Sequence, residues 1–158
     1  MAGTWTDLNN QPGVNIDTML LLTDGRVFAH EFQSKNWHTL TPPDSGDYRD
    51  GRWDQVASLP DNSNIPAASG GPTNAPTFFA SAVFADGRVF VAGGEYNGSS
   101  STANDSLTAQ IYDPRINAWA AISTPWASTL WSGWRFIPAS SYTINSCRVC
   151  RFGDYSLL

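Results

Sequence analysis

Apolar and polar residues cluster into two short stretches of this 158-residue chain that share a phrase. TMLLLTDGRVF occupies 18–28 and FASAVFADGRVF occupies 79–90, each with apolar residues on both sides of an Asp-Gly pair. Such runs predict β-hairpins, with Asp24-Gly25 and Asp86-Gly87 in tight primed turns that demand positive φ angles. In the second copy, strands are expected at 78–84 and 88–92, the latter running into Gly93-Gly94. A polar loop over 96–106 then precedes a third strand at 108–112. After the Asp113-Pro114 turn, a fourth follows at 118–122. The first copy repeats the scheme with strands at 17–22, 26–30, 37–41 and 52–57. No stretch keeps apolar residues at i, i+3, i+4 and i+7, so little or no helix is expected. Four strands in about 45 residues match one propeller blade or one antiparallel meander.

The second copy carries a family likeness. An apolar strand ending in Gly93-Gly94, a later Tyr112, and Trp119 after six intervening residues resemble the kelch repeat. In that family each repeat is one four-stranded blade of a β-propeller. The residues also make physical sense by themselves. Gly93-Gly94 lets a neighbouring backbone or ring approach closely, and Tyr112 and Trp119 on adjacent strands can pack together and seal one blade against the next. The first copy follows the pattern less closely. Ala29-His30-Glu31 replaces the Gly doublet, and Tyr48 is separated from Trp53 by four residues instead of six.

The expected fold is therefore all-β, a partial kelch-type propeller of antiparallel four-stranded blades in an incomplete ring. Residues 1–12 hold an orphan outer strand, because Gly3–Leu8 has the layout of Gly51–Val56. A kelch-like blade spans 13–60, an inter-blade loop 61–76 and a kelch blade 77–125. Likeness to kelch proteins of the galactose-oxidase-like group covers roughly residues 3–126.

From 126 to 158 the pattern stops. The first 126 residues carry six basic and 13 acidic groups, whereas the remaining 32 carry three and one. A variant third blade with strands at 140–144 and 148–152, a frame-shifted tail and an unrelated fusion all fit this break. The abrupt change of character favours the frame shift. A closed propeller uses typically about 4–8 blades, so two blades and an orphan strand predict self-association or membership of a longer propeller. Uncovered edges and apolar faces would otherwise invite aggregation.

Charge narrows the partners. The net charge is −5, with 14 acidic residues against eight Arg and one Lys. That excludes the clustered basic footprint of nucleic-acid binders and a polybasic membrane surface. Apolar runs such as Met19–Leu22 are too short to span a bilayer. The opening residues lack a signal peptide's basic and apolar regions, which suggests a cytoplasmic protein, or an extracellular one cut from an exported parent.

Candidate chemistry is sparse. The likeness implies copper radical oxidase chemistry, which in galactose-oxidase-like enzymes needs tyrosine and histidine ligands and a cysteine cross-linked to a tyrosine. Only His30 and His38 are available as histidines, both cysteines lie in the tail, and no residue matches the copper motif. No catalytic residue, metal or cofactor is therefore expected. His30 beside Glu31 reads as a hairpin-end pair standing in for the missing glycines. Cys147 and Cys150 have CxxC spacing but lack a second ligand pair or a redox-motif setting, and read as incidental thiols or a disulfide. Gly70-Gly71 and Gly93-Gly94 lack the strand-loop-helix setting of a phosphate loop. Asp44, Asp47, Asp50 and Asp54 read as a solvated loop without the fixed spacing of a calcium site.

Asn97-Gly98-Ser99 and Asn104-Asp105-Ser106 fit the glycosylation acceptor pattern. The expected function is a non-catalytic module that binds a protein or carbohydrate. Its elaborate loops, 60–76, 96–106 and 41–51 with Tyr48 exposed, would carry recognition. The alternative is a fragment of a galactose-oxidase-like enzyme whose catalytic residues lie elsewhere.

Overall fold

Two meanders form where the repeated phrases stand. In the computed structural model, which describes residues 3–61, 73–98, 106 and 108–122, the first consists of β1 (Ile16–Leu21), β2 (Val27–Glu31), β3 (Trp37–Thr41) and β4 (Arg52–Gln55). The two-residue β5 (Pro76–Thr77) precedes the second, made of β6 (Ala80–Val83), β7 (Val89–Ala92), β9 (Ala109–Asp113) and β10 (Ala118–Ala121). Between β7 and β9 lies β8 (Tyr96–Asn97). Both four-stranded sheets are antiparallel, in order β1-β2-β3-β4 and β6-β7-β9-β10, and β5 pairs only with β8. The one helical turn among the described residues is a 3₁₀ turn at Tyr48–Asp50. The tail, Cys147 and Cys150, the Asn104 acceptor, residues 62–72 and all of 99–107 except Ser106 lie outside the described residues.

The hairpin turns differ from the primed type. Leu22 N–H donates to Arg26 O (2.8 Å) while Leu22 O accepts from Gly25 N–H (3.1 Å), leaving a three-residue loop of Thr23, Asp24 and Gly25. Only the glycine has positive φ, 84° at Gly25 and 88° at Gly87. This is a turn followed by a left-handed glycine, the next most common hairpin connection. The aspartate contributes through its carboxylate instead, Asp24 accepting from the backbone N–H of Arg26 (3.0 Å) and from its guanidinium. Asp86 does the same for Arg88.

Two further expectations change. Residues 3–8 form no strand, since no described strand offers them a ladder, and Trp5 is 100% exposed. The strand expected from Phe78 begins at Ala80, because Phe78 itself takes φ 58° and breaks the run.

Alternation along the strands decides which faces meet. Leu20, Leu22, Phe28, His30 and Trp37 of the first sheet face Val83, Val89, Val91, Tyr112 and Trp119 of the second. Rings dominate this seam: Phe28 stacks on Trp37 at 4.4 Å and on Tyr112 at 4.6 Å. Tyr112 and Trp119 are direct cross-strand partners, 5.1 Å apart. Trp119 Nε1 crosses to the first sheet's trailing segment and donates to Ala57 O (2.8 Å). Asn117, left-handed at φ 49°, accepts from both Tyr112 Oη–H (2.9 Å) and Ala57 N–H (2.8 Å). Offset and tilted rings of this kind add about 0.5–1.5 kcal/mol per pair beyond their buried area.

Candidate functional site

Sheet topology gives the molecule two unlike ends. At one lie the turns β1–β2, β6–β7 and β9–β10 together with the 41–51 loop. Tyr48 belongs here, and it is half-buried instead of exposed, its hydroxyl donating to Gly25 O (2.6 Å). The 41–51 loop is thereby pinned to the hairpin, at the opposite end from the other two expected recognition loops.

The described ends of those two loops are brought together at the far end. Pro76 pairs with Asn97 and Thr77 with Tyr96 in the β5–β8 ribbon, which joins the close of the 60–76 loop to the start of the 96–106 loop. Gly93 and Gly94 make this possible. Gly94 has φ 139°, and a Cβ there would stand 2.8 Å from Pro76 Cβ and 3.2 Å from Thr77 O. The close approach expected of the Gly doublet is thus made by β5. Asn97 locks the ribbon from inside, accepting from Ala75 N–H (2.7 Å) and donating to Thr73 O (2.8 Å). Buried in this way, the Asn97 amide is unavailable as a glycosylation acceptor in the folded chain.

The ribbon presents an aromatic corner. Phe78 is 66% exposed and left-handed, a conformation that costs a non-glycine residue about 1–2 kcal/mol and is a true outlier for a bulky one. Its ring meets Tyr96 edge to face at 5.8 Å. Behind it the Thr77 hydroxyl is buried and finds no hydrogen-bond partner among the described residues. Strain held at an exposed ring is the kind of outlier that points to function. Sequence reasoning placed Phe78 within a strand and missed it. The signal available was Pro76, which cannot donate to a ladder and so marks a break or an edge.

The histidines do separate work. His30 is fully buried, its Nε2–H donating to Ser34 O (2.8 Å) and its Nδ1 lying 2.8 Å from Asp17 Oδ1. Glu31 instead pairs with His38 Nε2 (3.0 Å) and Asn36 Nδ2 (3.2 Å). The expected His30–Glu31 pair does not form, because adjacent strand residues point to opposite faces. Among the described residues no group of three or more His, Cys, Asp or Glu is placed to hold a metal. None of their helices is long and apolar enough to cross a membrane.

What this geometry defines is a class, an all-β chain of stacked antiparallel four-stranded sheets that close no barrel, consistent with a partial propeller. A comparison with protein-family models finds no match, and no curated protein matches the chain.

Proposed function

We propose that the chain is a non-catalytic kelch-type propeller module, or a piece of one, that binds a protein or carbohydrate partner through its β5–β8 end. The observation that carries this reading is Phe78, whose ring is held in the open against Tyr96 by a backbone conformation that opposes stability. An apolar ring flanked by a phenol suits the C–H face of a sugar or the side chain of a docked peptide. The repeat spacing of Gly93-Gly94, Tyr112 and Trp119 is what supports the kelch assignment.

Printed glycan and peptide arrays test the function with three proteins: the unmodified chain, Phe78→Gly and Tyr96→Ala. Phe78→Gly should gain stability, by about 1–2 kcal/mol from relief of the left-handed strain, while losing array signal. Tyr96→Ala should lose signal too. Binding that survives both substitutions, or no binding on either array, would overturn the reading. Stoichiometric copper by elemental analysis would favour the enzyme-fragment alternative.

A further inference from the structure

The seam between the sheets is built from two different faces, and each has a second copy on the outside of the chain. Aligning Asp86-Gly87-Arg88 with Asp24-Gly25-Arg26 places Val83, Val89 and Val91 on Leu21, Val27 and Ala29. In the second sheet those valines lie in the seam. In the first sheet the equivalent face is open at Leu21 and Met19, each 65% exposed, while Ala29 and Leu40 on it are buried and Trp53 donates to Asn10 O. The same alignment places Leu22 and Phe28, buried in the seam, on Phe84 and Phe90. Phe84 and Phe90 face outward from the second sheet, their rings 6.3 Å apart, alongside exposed Ala80 and Ala82. Arg88 borders this alanine and phenylalanine surface, its guanidinium 5.9 Å from the centre of the Phe84 ring.

At Met19 and Leu21 on one side and Ala80, Ala82, Phe84 and Phe90 on the other, the outward faces repeat part of an interface that the chain already makes once. We propose that a second copy of this chain docks head to tail, the Ala80, Ala82, Phe84 and Phe90 face of one copy covering the Met19 and Leu21 face of the next. Continuity with the internal seam is what selects the occupant, since the surface each outer face would need is found on the same chain. Such a contact is heterologous, and it closes into a ring or runs on as a filament according to the rotation between copies. It involves neither Phe78 nor Tyr96 and stands whether or not the β5–β8 end binds a ligand.

Sedimentation of the full chain with two face-blocked variants tests this. One variant carries Met19→Asp with Leu21→Asp, the other Ala80→Asp with Ala82→Asp, all at exposed positions. Near-UV circular dichroism checks that each stays folded, with the single changes Leu21→Lys and Ala82→Lys as replacements should either double variant unfold. The unmodified chain should show a mass rising with concentration above 17.2 kDa. Each variant alone should remain a single chain, having only one usable face. An equimolar mixture of the two should form a species of two chains through the faces left intact. An unmodified chain that stays single throughout, a variant that still associates with itself, or a mixture that fails to combine would each overturn the proposal.

Discussion

Gly94→Ala separates the close approach of β5 from the ordinary cost of a left-handed glycine. Two penalties act at this position. A φ of 139° is unfavourable for alanine, at about 1–3 kcal/mol for a sparsely populated backbone region. The new methyl would also meet Pro76 Cβ at 2.8 Å and Thr77 O at 3.2 Å, and overpacking of that kind costs about 1–3 kcal/mol. Gly98 is the control: its φ is 69°, and nothing lies within 4 Å of a Cβ built there. Gly98→Ala should therefore show only the left-handed term, about 1–2 kcal/mol.

The ribbon that must absorb the Gly94 penalty has two residues in each strand. It holds little free energy of its own, so Gly94→Ala should release the ribbon before it unfolds the sheets. Native-state hydrogen exchange reads this directly. Glu95 N–H, bonded to Thr77 O at 3.0 Å, and Gly98 N–H, bonded to Ala75 O at 2.7 Å, should lose protection in Gly94→Ala. Amides of β2 and β3 should keep theirs. In Gly98→Ala the Glu95 amide should stay protected. Equal protection of Glu95 in the two variants would refute the idea that the doublet exists to admit β5.

Three more substitutions probe the rest of the fold. Phe28→Ala removes a fully buried ring stacked between Trp37 and Tyr112 and should cost about 3–5 kcal/mol in a denaturant titration, with a loss under about 2 kcal/mol speaking against the seam as the core. Trp119→Phe keeps a ring in the seam but deletes the bond to Ala57 O, so a drop of about 0.5–1.5 kcal/mol at unchanged denaturant slope is expected. Asp113→Asn addresses pH: hydrogen bonding from the Arg115 side chain holds the Asp113 carboxyl down from 3.8 to about 2. A depressed carboxylate contributes stability that is complete above its ordinary value and lost as pH falls through the lowered one. The urea midpoint of the unmodified chain should fall between pH 3.8 and about 2, and Asp113→Asn should flatten that fall. Identical acid limbs in the two proteins would contradict the assignment.

How legible each part was in the sequence follows from the range of the interactions that fix it. Hairpins at Asp24-Gly25 and Asp86-Gly87 announce themselves because turn, glycine and Arg clasp all lie within three adjacent residues. The third strands ended close to expectation for a related reason, since Trp37–Thr41 and Ala109–Asp113 only extend a meander already begun. Turn type was misjudged because the aspartate does more as a carboxylate acceptor for its own arginine than as a positive-φ residue. The β5–β8 ribbon was invisible. Its four residues carry no periodicity, and what pairs Thr77 with Tyr96 is the Gly94 contact to Pro76, across a gap no local pattern spans. Tyr48 escaped for the same reason, its partner Gly25 lying on another hairpin. For Phe78 the sequence offered only the break that Pro76 marks, because its exposure comes from the ribbon that places it.

The two ends of the molecule differ in the same respect, and that difference bears on where binding can occur. Each of the five arginines among the described residues is ion-paired with an aspartate two positions away, Arg26, Arg49, Arg88 and Arg115 with the aspartate before them and Arg52 with the one after. Surface pairs of this type contribute only about 0–1 kcal/mol each, but the backbone bonds accepted by Asp24, Asp47, Asp86 and Asp113 fix the turns themselves. Both partners of the Arg26, Arg49, Arg88 and Arg115 pairs lie in one turn, whereas Arg52 and Asp54 sit in β4. Each of those four clasps therefore forms without help from the rest of the fold, and its guanidinium is committed before any partner arrives. The β5–β8 end depends instead on long-range contacts across a two-residue ladder. Binding surfaces are drawn from the parts of a fold that open at lowest cost, which places adaptability beside Phe78 and rigidity at the clasped turns. Exchange rates therefore should rank the Glu95 and Gly98 amides well ahead of Leu22 and Phe84, whose N–H groups close the clasped hairpins on Arg26 O and Arg88 O. The reverse order would put the adaptable surface at the arginine end and remove the physical ground for recognition at Phe78.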